Sequence, residues 1–162
     1  MIVRALYHTN GTVSIVYPAI KSKRENETEK EWLHRVFTKS NPNGLPYEDF
    51  DLEKTTLPDS RFRNAWVKGR NGIEIDLDKA KAQVLDEVRA VRNKELERTD
   101  IIITRALETG EVIKINETKK YRERLRDLPQ TIRIDKIKTV DELLAVYPKV
   151  LTIEDYLALA EG

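Results

Sequence analysis

Apolar residues recur at two different spacings along the chain, and the change comes near residue 76. Before it, Val3, Ala5 and Tyr7 occupy alternate positions ahead of Asn10-Gly11, and Val13, Ile15 and Tyr17 do so after it. A period of two puts such residues on one face of a pleated strand. Asn-Gly supplies the positive φ angles of a tight turn and Pro18 closes the second run, so the opening reads as a β-hairpin. Trp32, Leu33, Val36 and Phe37 then fall on one face of a short helix. Asn26 is its expected N-cap, Lys39 its approximate end, and covering the hairpin its expected task. Residues 41–46 have the composition of a turn, and residues 47–52 alternate as a short edge strand.

From Asp76 onward the spacing becomes helical. Asp78 can cap a helix extending to about Leu107, with Leu77, Ala80, Val84, Val88, Val91, Ile102 and Ala106 on one stripe. Leu85, Leu96 and Ile103 widen that stripe, and Gly110 is the expected stop. After a link at residues 111–115, Asn116 can cap a second helix in which Tyr121, Leu125 and Leu128 stand at i, i+4 and i+7. Pro129 is expected to end it. Two helices joined so briefly pack antiparallel. Thr139 with Glu142, and Thr152 with Asp155, have capping-box spacing. They open short helices carrying Leu143, Leu144 and Val146, and Tyr156, Leu157 and Leu159, which gain stability only by docking. The fold class that follows is α+β. A small N-terminal β-rich unit, hairpin plus helix, occupies residues 1–76, and an antiparallel helical hairpin with short C-terminal helices occupies residues 77–162.

Composition narrows the function classes. With 29 basic against 28 acidic side chains, the net charge of +1 gives no global field of the kind a dedicated DNA-binding domain carries. Cysteine is absent, which excludes disulfides, thiolate catalysis and zinc–thiolate sites. The start MIVRALYHTN has no apolar signal core, and no apolar run reaches membrane-spanning length. Folding in a reducing cytoplasm, without a membrane, is the expectation.

His8 and His34 have no carboxylate or second histidine at ligand spacing, so neither a metal nor another cofactor is expected. No nucleophile elbow suggests a Ser-His-Asp arrangement. Gly69 and Gly72 lack the remaining glycines and lysine of a phosphate loop, and Asp76 and Asp78 read as helix caps rather than paired metal ligands. The best nucleic-acid candidate is residues 119–126, where Lys119, Arg122 and Arg126 share one helical face. Glu117 and Glu123 dilute its charge.

Three features suggest protein contacts instead. Phe62 and Trp66 stand four residues apart ahead of Gly69-Arg70-Asn71-Gly72. A helical turn there would aim both rings the same way, toward a joint between the two units. Arg92 and Glu95 fall inside the apolar stripe of the long helix, where polar groups are either wet or form a satisfied pair that fixes register or partner. Ile101 points away from that stripe, as an exposed apolar residue or a second contact face.

The run that carries these features resembles a module in small proteins of tailed bacteriophages. The resemblance rests on Phe62, Arg63, Ala65 and Trp66, on Arg89 and Arg92, on Arg105, Ala106, Leu107, Glu108 and Gly110, and on Leu125, Arg126, Asp127, Leu128 and Pro129. It covers about residues 59–150, and departs from the module in residues 110–117 (GEVIKINE) and in a lysine-rich surface. What it implies is a non-enzymatic tail, tail-fibre or tail-assembly component, located in the virion or in the host cytoplasm during assembly. Its implied partners are other phage virion or tail proteins, met as a homo-oligomer or multi-protein assembly. The alternative is a nucleic-acid-binding accessory protein using Lys119, Arg122 and Arg126.

Overall fold

The computed structural model describes residues 1–146 and 152–161. The chain divides into two compact units, Met1–Ala80 and Lys81–Gly162.

In the first unit, β1 (Ile2–Tyr7), β2 (Val13–Val16) and β3 (Tyr47–Asp51) form an antiparallel sheet in the order β2-β1-β3. Ala5 lies opposite both Ile15 and Glu48, and Val3 opposite Phe50. That register gathers Val3, Ala5, Tyr7, Val13, Ile15 and Phe50 on one face, where they form a core together with Trp66. The hairpin loop is wider than the two-residue turn expected. His8 N donates to Thr12 O at 2.9 Å, Gly11 N donates to His8 O at 3.0 Å, and only Gly11 takes a positive φ, 78°. Asn10 instead uses its side chain, accepting from Thr12 N at 3.0 Å and from Thr12 Oγ1 at 2.7 Å.

On β1, Arg4 joins the sheet to the helix α1 (Glu29–Ser40). Its guanidinium donates to Asp49 through Nε at 2.6 Å and Nη2 at 2.7 Å, and its central carbon lies 4.4 Å from the Phe37 ring centre and 3.7 Å from that of Tyr47. The helix begins at Thr28 rather than Asn26. Thr28 Oγ1 accepts from Glu31 N at 3.3 Å while the Glu31 carboxylate accepts from Thr28 N at 2.9 Å. Asn26 is held out of the helix because Glu27 ties its own loop, accepting from Arg24 N at 3.1 Å and from Arg35 Nε and Nη2 at 2.6 Å.

A second hairpin, β4 (Trp66–Gly69) with β5 (Gly72–Ile75), pairs Trp66 with Ile75 and Gly69 with Gly72. Gly72 has φ 114°, which strains any residue with a side chain, and a Cβ there would crowd the Phe50 ring at 3.0 Å. Asp76, not Asp78, caps the next helix, its Oδ1 accepting from Lys79 N at 3.0 Å.

The second unit is α+β's helical part. It is built on α2 (Leu77–Glu108), whose first turn belongs to the first unit, and α3 (Val112–Thr131), which together form the helical hairpin. Short helices α4 (Val140–Val146) and α5 (Ile153–Glu161) follow, and α5 packs on α3. Thr152 and Asp155 form the reciprocal capping box, at 2.8 and 3.2 Å. Thr139 Oγ1 accepts from Glu142 N at 3.1 Å, but the Glu142 carboxylate reaches one residue further back, to Lys138 N at 2.7 Å. The side chains of Tyr156 and Leu159 lie outside the described residues. No helix among the described residues is long and apolar enough to cross a membrane.

Two expectations for α3 fail for local reasons. The helix starts at Val112, four residues before Asn116, because the link is already folded back by the end of α2. It also runs through Pro129, which stands two residues before the last helical residue, Thr131. The Leu125 carbonyl loses its donor at Pro129, but the helix still closes beyond it, where Ile132 N donates to Leu128 O at 3.2 Å.

Candidate interaction site

The turn between α2 and α3 is a Schellman motif. Gly110, at φ 70°, donates through its N–H to Leu107 O at 3.3 Å, and Glu111 N donates to Ala106 O at 2.9 Å. Those bonds satisfy the Ala106 and Leu107 carbonyls and reverse the chain within three residues. Ala106 faces inward and is fully buried, whereas Leu107, Val112 and Ile113 are left in solvent, Ile113 at 77% exposure. Val112 and Ile113 line an open depression of about 690 Å³ with Gly110, Glu111, Lys114 and Glu117. Glu111 is anchored there by an ion pair to Lys114 at 3.4 Å and by Thr109 Oγ1 at 2.7 Å, and these groups hold its carboxyl below the usual range, the Thr109 hydrogen bond contributing most. The elbow thus leaves several aliphatic side chains exposed at the turn of the helical hairpin.

Further along the hairpin, adjacent residues of α3 grip α2 at two points. The Tyr121 hydroxyl donates to Glu95 Oε1 at 3.0 Å, and Arg98 donates to the same carboxylate through Nη2 at 2.6 Å and Nε at 2.9 Å. Arg122 Nη1 donates to Thr99 Oγ1 at 2.9 Å and Leu96 O at 3.2 Å, and pairs with Asp100. Hydrogen bonding, chiefly from Arg98, holds the Glu95 carboxyl below the usual carboxylate range. Burial, followed by the bond to Glu95, pushes the Tyr121 hydroxyl up to about 12.

The candidate residues therefore part company. Glu95 is a satisfied polar group inside the seam, but Arg92 is not its partner and turns to Asn93 Oδ1 at 3.0 and 3.2 Å. Ile101 is 57% exposed on α2. Of the basic face, Lys119 and Arg126 are exposed while Arg122 is engaged against α2. Trp66 packs in the sheet core of Met1–Ala80, its Nε1 donating to Asp59 O at 3.3 Å, and Phe62 is fully buried at a non-helical φ/ψ inside the 3₁₀ segment Ser60–Ala65.

Thr99 escaped the sequence reading because threonine in a helix carries no directional signal. It is 1% exposed, donates to Leu96 O at 2.7 Å, and sits one turn beyond Glu95 on the same stripe. Among the described residues, no group of three or more histidine or carboxylate side chains is placed to hold a metal ion. His8 Nε2 lies 2.8 Å from Ser14 Oγ. Comparison with family models, curated proteins and solved structures finds no match to this chain.

Proposed function

We propose that the protein is a non-enzymatic structural or assembly component of a tailed-phage particle, most naturally tail-associated, and that it works through protein–protein contacts. The phage setting rests on the resemblance over residues 59–150. The observation that carries the contact role is the α2–α3 elbow, where exposed Val112 and Ile113 line an open depression and Leu107 is exposed at the end of α2. The nucleic-acid alternative loses its central residue, because Arg122 is bound to Thr99, Leu96 and Asp100. Lys119 and Arg126, the two exposed members of that face, flank Glu123 and make a poor phosphate-binding stripe.

Mass spectrometry of purified particles and of assembly intermediates tests this reading. A virion component co-purifies with finished particles at a definite copy number. An assembly factor is absent from them but bound to tail proteins in infected cells. Absence from both, with retention on DNA at physiological salt, overturns the proposal.

A further inference from the structure

Asparagine is followed by glycine at three places, Asn10-Gly11, Asn43-Gly44 and Asn71-Gly72, and each asparagine stands in a turn. Such a pair can react with itself. Attack of the glycine nitrogen on the side-chain amide carbon Cγ closes a five-membered imide, and glycine has no Cβ to obstruct the approach. Three identical dipeptides in one chain should then react alike, unless the fold holds them differently.

The fold does hold them differently. At Asn10 both reacting groups are tied. Its Oδ1 accepts from Thr12 N at 3.0 Å and from Thr12 Oγ1 at 2.7 Å, while Gly11 N donates to His8 O at 3.0 Å. At Asn71 the side chain is exposed but the nucleophile is not. Gly72 is buried, pairs with Gly69 in the β4–β5 ladder and lies against the Phe50 ring. Closing an imide there means opening the hairpin beside the sheet core.

Neither restraint operates at Asn43. Asn43 and Gly44 are both exposed, and no protein atom lies within 4 Å of where a Gly44 Cβ would stand. Among the described residues, no hydrogen bond holds the Asn43 side-chain amide. Gly44 N donates to Asn41 O at 3.2 Å, at the long end for such a bond. The loop also survives the loss of that bond. Asn41 Nδ2 donates to Leu45 O at 2.8 Å and Leu45 N donates to Asn41 Oδ1 at 2.7 Å, so Asn41 and Leu45 stay clasped while the residues between them rearrange.

We propose that Asn43 is a site of spontaneous deamidation, and that it is the first of the three pairs to react in the folded protein. Water and hydroxide are the only co-reactants. Hydroxide removes the Gly44 amide proton, the nitrogen bonds to Cγ of Asn43, and the Cγ–Nδ2 bond breaks to release ammonia, which takes its proton from water. A second water then opens the imide. Cleavage of the new N–Cγ bond leaves an ordinary aspartate at position 43. Cleavage of the bond to the main-chain carbonyl carbon leaves isoaspartate, which routes the chain through Cγ and lengthens it by a methylene. Either product adds a negative charge, taking the formal net charge from +1 to zero, so it separates from the parent chain by ion exchange. The inference is independent of the contact role proposed above.

The test incubates the full chain at neutral and mildly alkaline pH, folded and, in parallel, unfolded in guanidinium. Peptide mass spectrometry that resolves isoaspartate follows each asparagine. In the folded protein Asn43 should convert at least about fivefold faster than Asn10 and Asn71, the factor expected when one further hydrogen bond must break before attack. Its rate should rise with hydroxide concentration. In guanidinium the three rates should converge, because only the fold distinguishes them. A folded-state rate at Asn43 that does not exceed the other two by that factor overturns the proposal. So does a ranking that persists in guanidinium, which would place the difference in neighbouring residues and not in the fold.

Discussion

Tyr121 donates its hydroxyl to Glu95 across the helical hairpin, at 3.0 Å, over a separation of 26 residues. Glu95 is a polar residue inside the apolar stripe of α2, and Tyr121 belongs to the apolar stripe of α3. The bond therefore fixes which turn of one helix faces which turn of the other. Tyr121→Phe keeps the ring and removes only the donor, and should cost about 1–2 kcal/mol in a urea titration. Glu95→Gln should cost a similar amount, and the double variant less than the sum, because the two side chains share one interaction. Additive losses would show that the pair is not coupled.

The same pair has a pH signature. Hydrogen bonds, first from Arg98 and then from Tyr121, depress the folded-state pKa of Glu95. Its contribution to stability is then complete above the unfolded carboxylate value and is lost as the pH falls through the folded one. Tyr121 behaves in the opposite sense. With its pKa raised to about 12, its contribution is complete below the unfolded tyrosine value and is lost as the pH rises toward 12. In a tyrosine-labelled NMR titration, Glu95→Gln should lower the Tyr121 midpoint without returning it to the unfolded value, because burial is the first cause of the shift. An unchanged midpoint would detach Tyr121 from Glu95.

Arg122 and Arg126 share a helical face in sequence and should behave differently in the protein. Arg122→Ala removes donors to Thr99, Leu96 O and Asp100, leaving the buried Thr99 hydroxyl with one partner fewer. A loss of about 1–3 kcal/mol in thermal or urea unfolding is expected. Arg126→Ala, at an exposed position, should change stability by less than about 0.5 kcal/mol. Equal and negligible losses would return Arg122 to the free basic face.

These contrasts show where the sequence was legible. The first hairpin and the edge strand β3 were readable because a period of two is a local signal and Asn10-Gly11 marks the reversal. Glu95 could be singled out as a polar group in a seam. Its partner could not, since Tyr121 meets it only after α2 and α3 set their register. The elbow was obscured by its own composition. Val112, Ile113 and Ile115 are β-branched residues of modest helix propensity, so the run reads as a link. Helix formation there is secured by the Schellman turn at Gly110, which delivers the chain already reversed. An apolar run beginning two residues after a helix-stopping glycine was the available clue.

Phe62 and Trp66 suggested a joint between the two units, whereas Phe62 lies at a non-helical φ/ψ in its 3₁₀ segment and the side chains gathered around Trp66 are those of the three-stranded sheet. Trp66→Ala should cost about 3–5 kcal/mol, the usual loss for a large buried aromatic. Hydrogen exchange gives the location. Protection should fall in β1, β2 and β4 while α3 keeps its own. Equal loss in α3 would mean that Trp66 holds the two units together instead of filling the core of one.

The loop that presents Ile20 depends on a second carboxylate. Glu27 accepts from Arg35 through both Nε and Nη2 at 2.6 Å, which is the main reason its pKa is lowered to about 2. A depressed acid of this kind stabilises the fold above the unfolded carboxylate range and ceases to do so as the pH falls from there toward 2. Arg35 also donates to Ser22 O at 2.8 Å, so the clamp links the acid to the turn that carries Ile20. Glu27→Gln should therefore flatten the acid limb of the stability–pH profile measured by chemical denaturation. It should also speed amide exchange in residues 20–24 at neutral pH while leaving the helical hairpin protected. An acid limb identical to wild type would show that the Glu27–Arg35 pair is not what secures this turn.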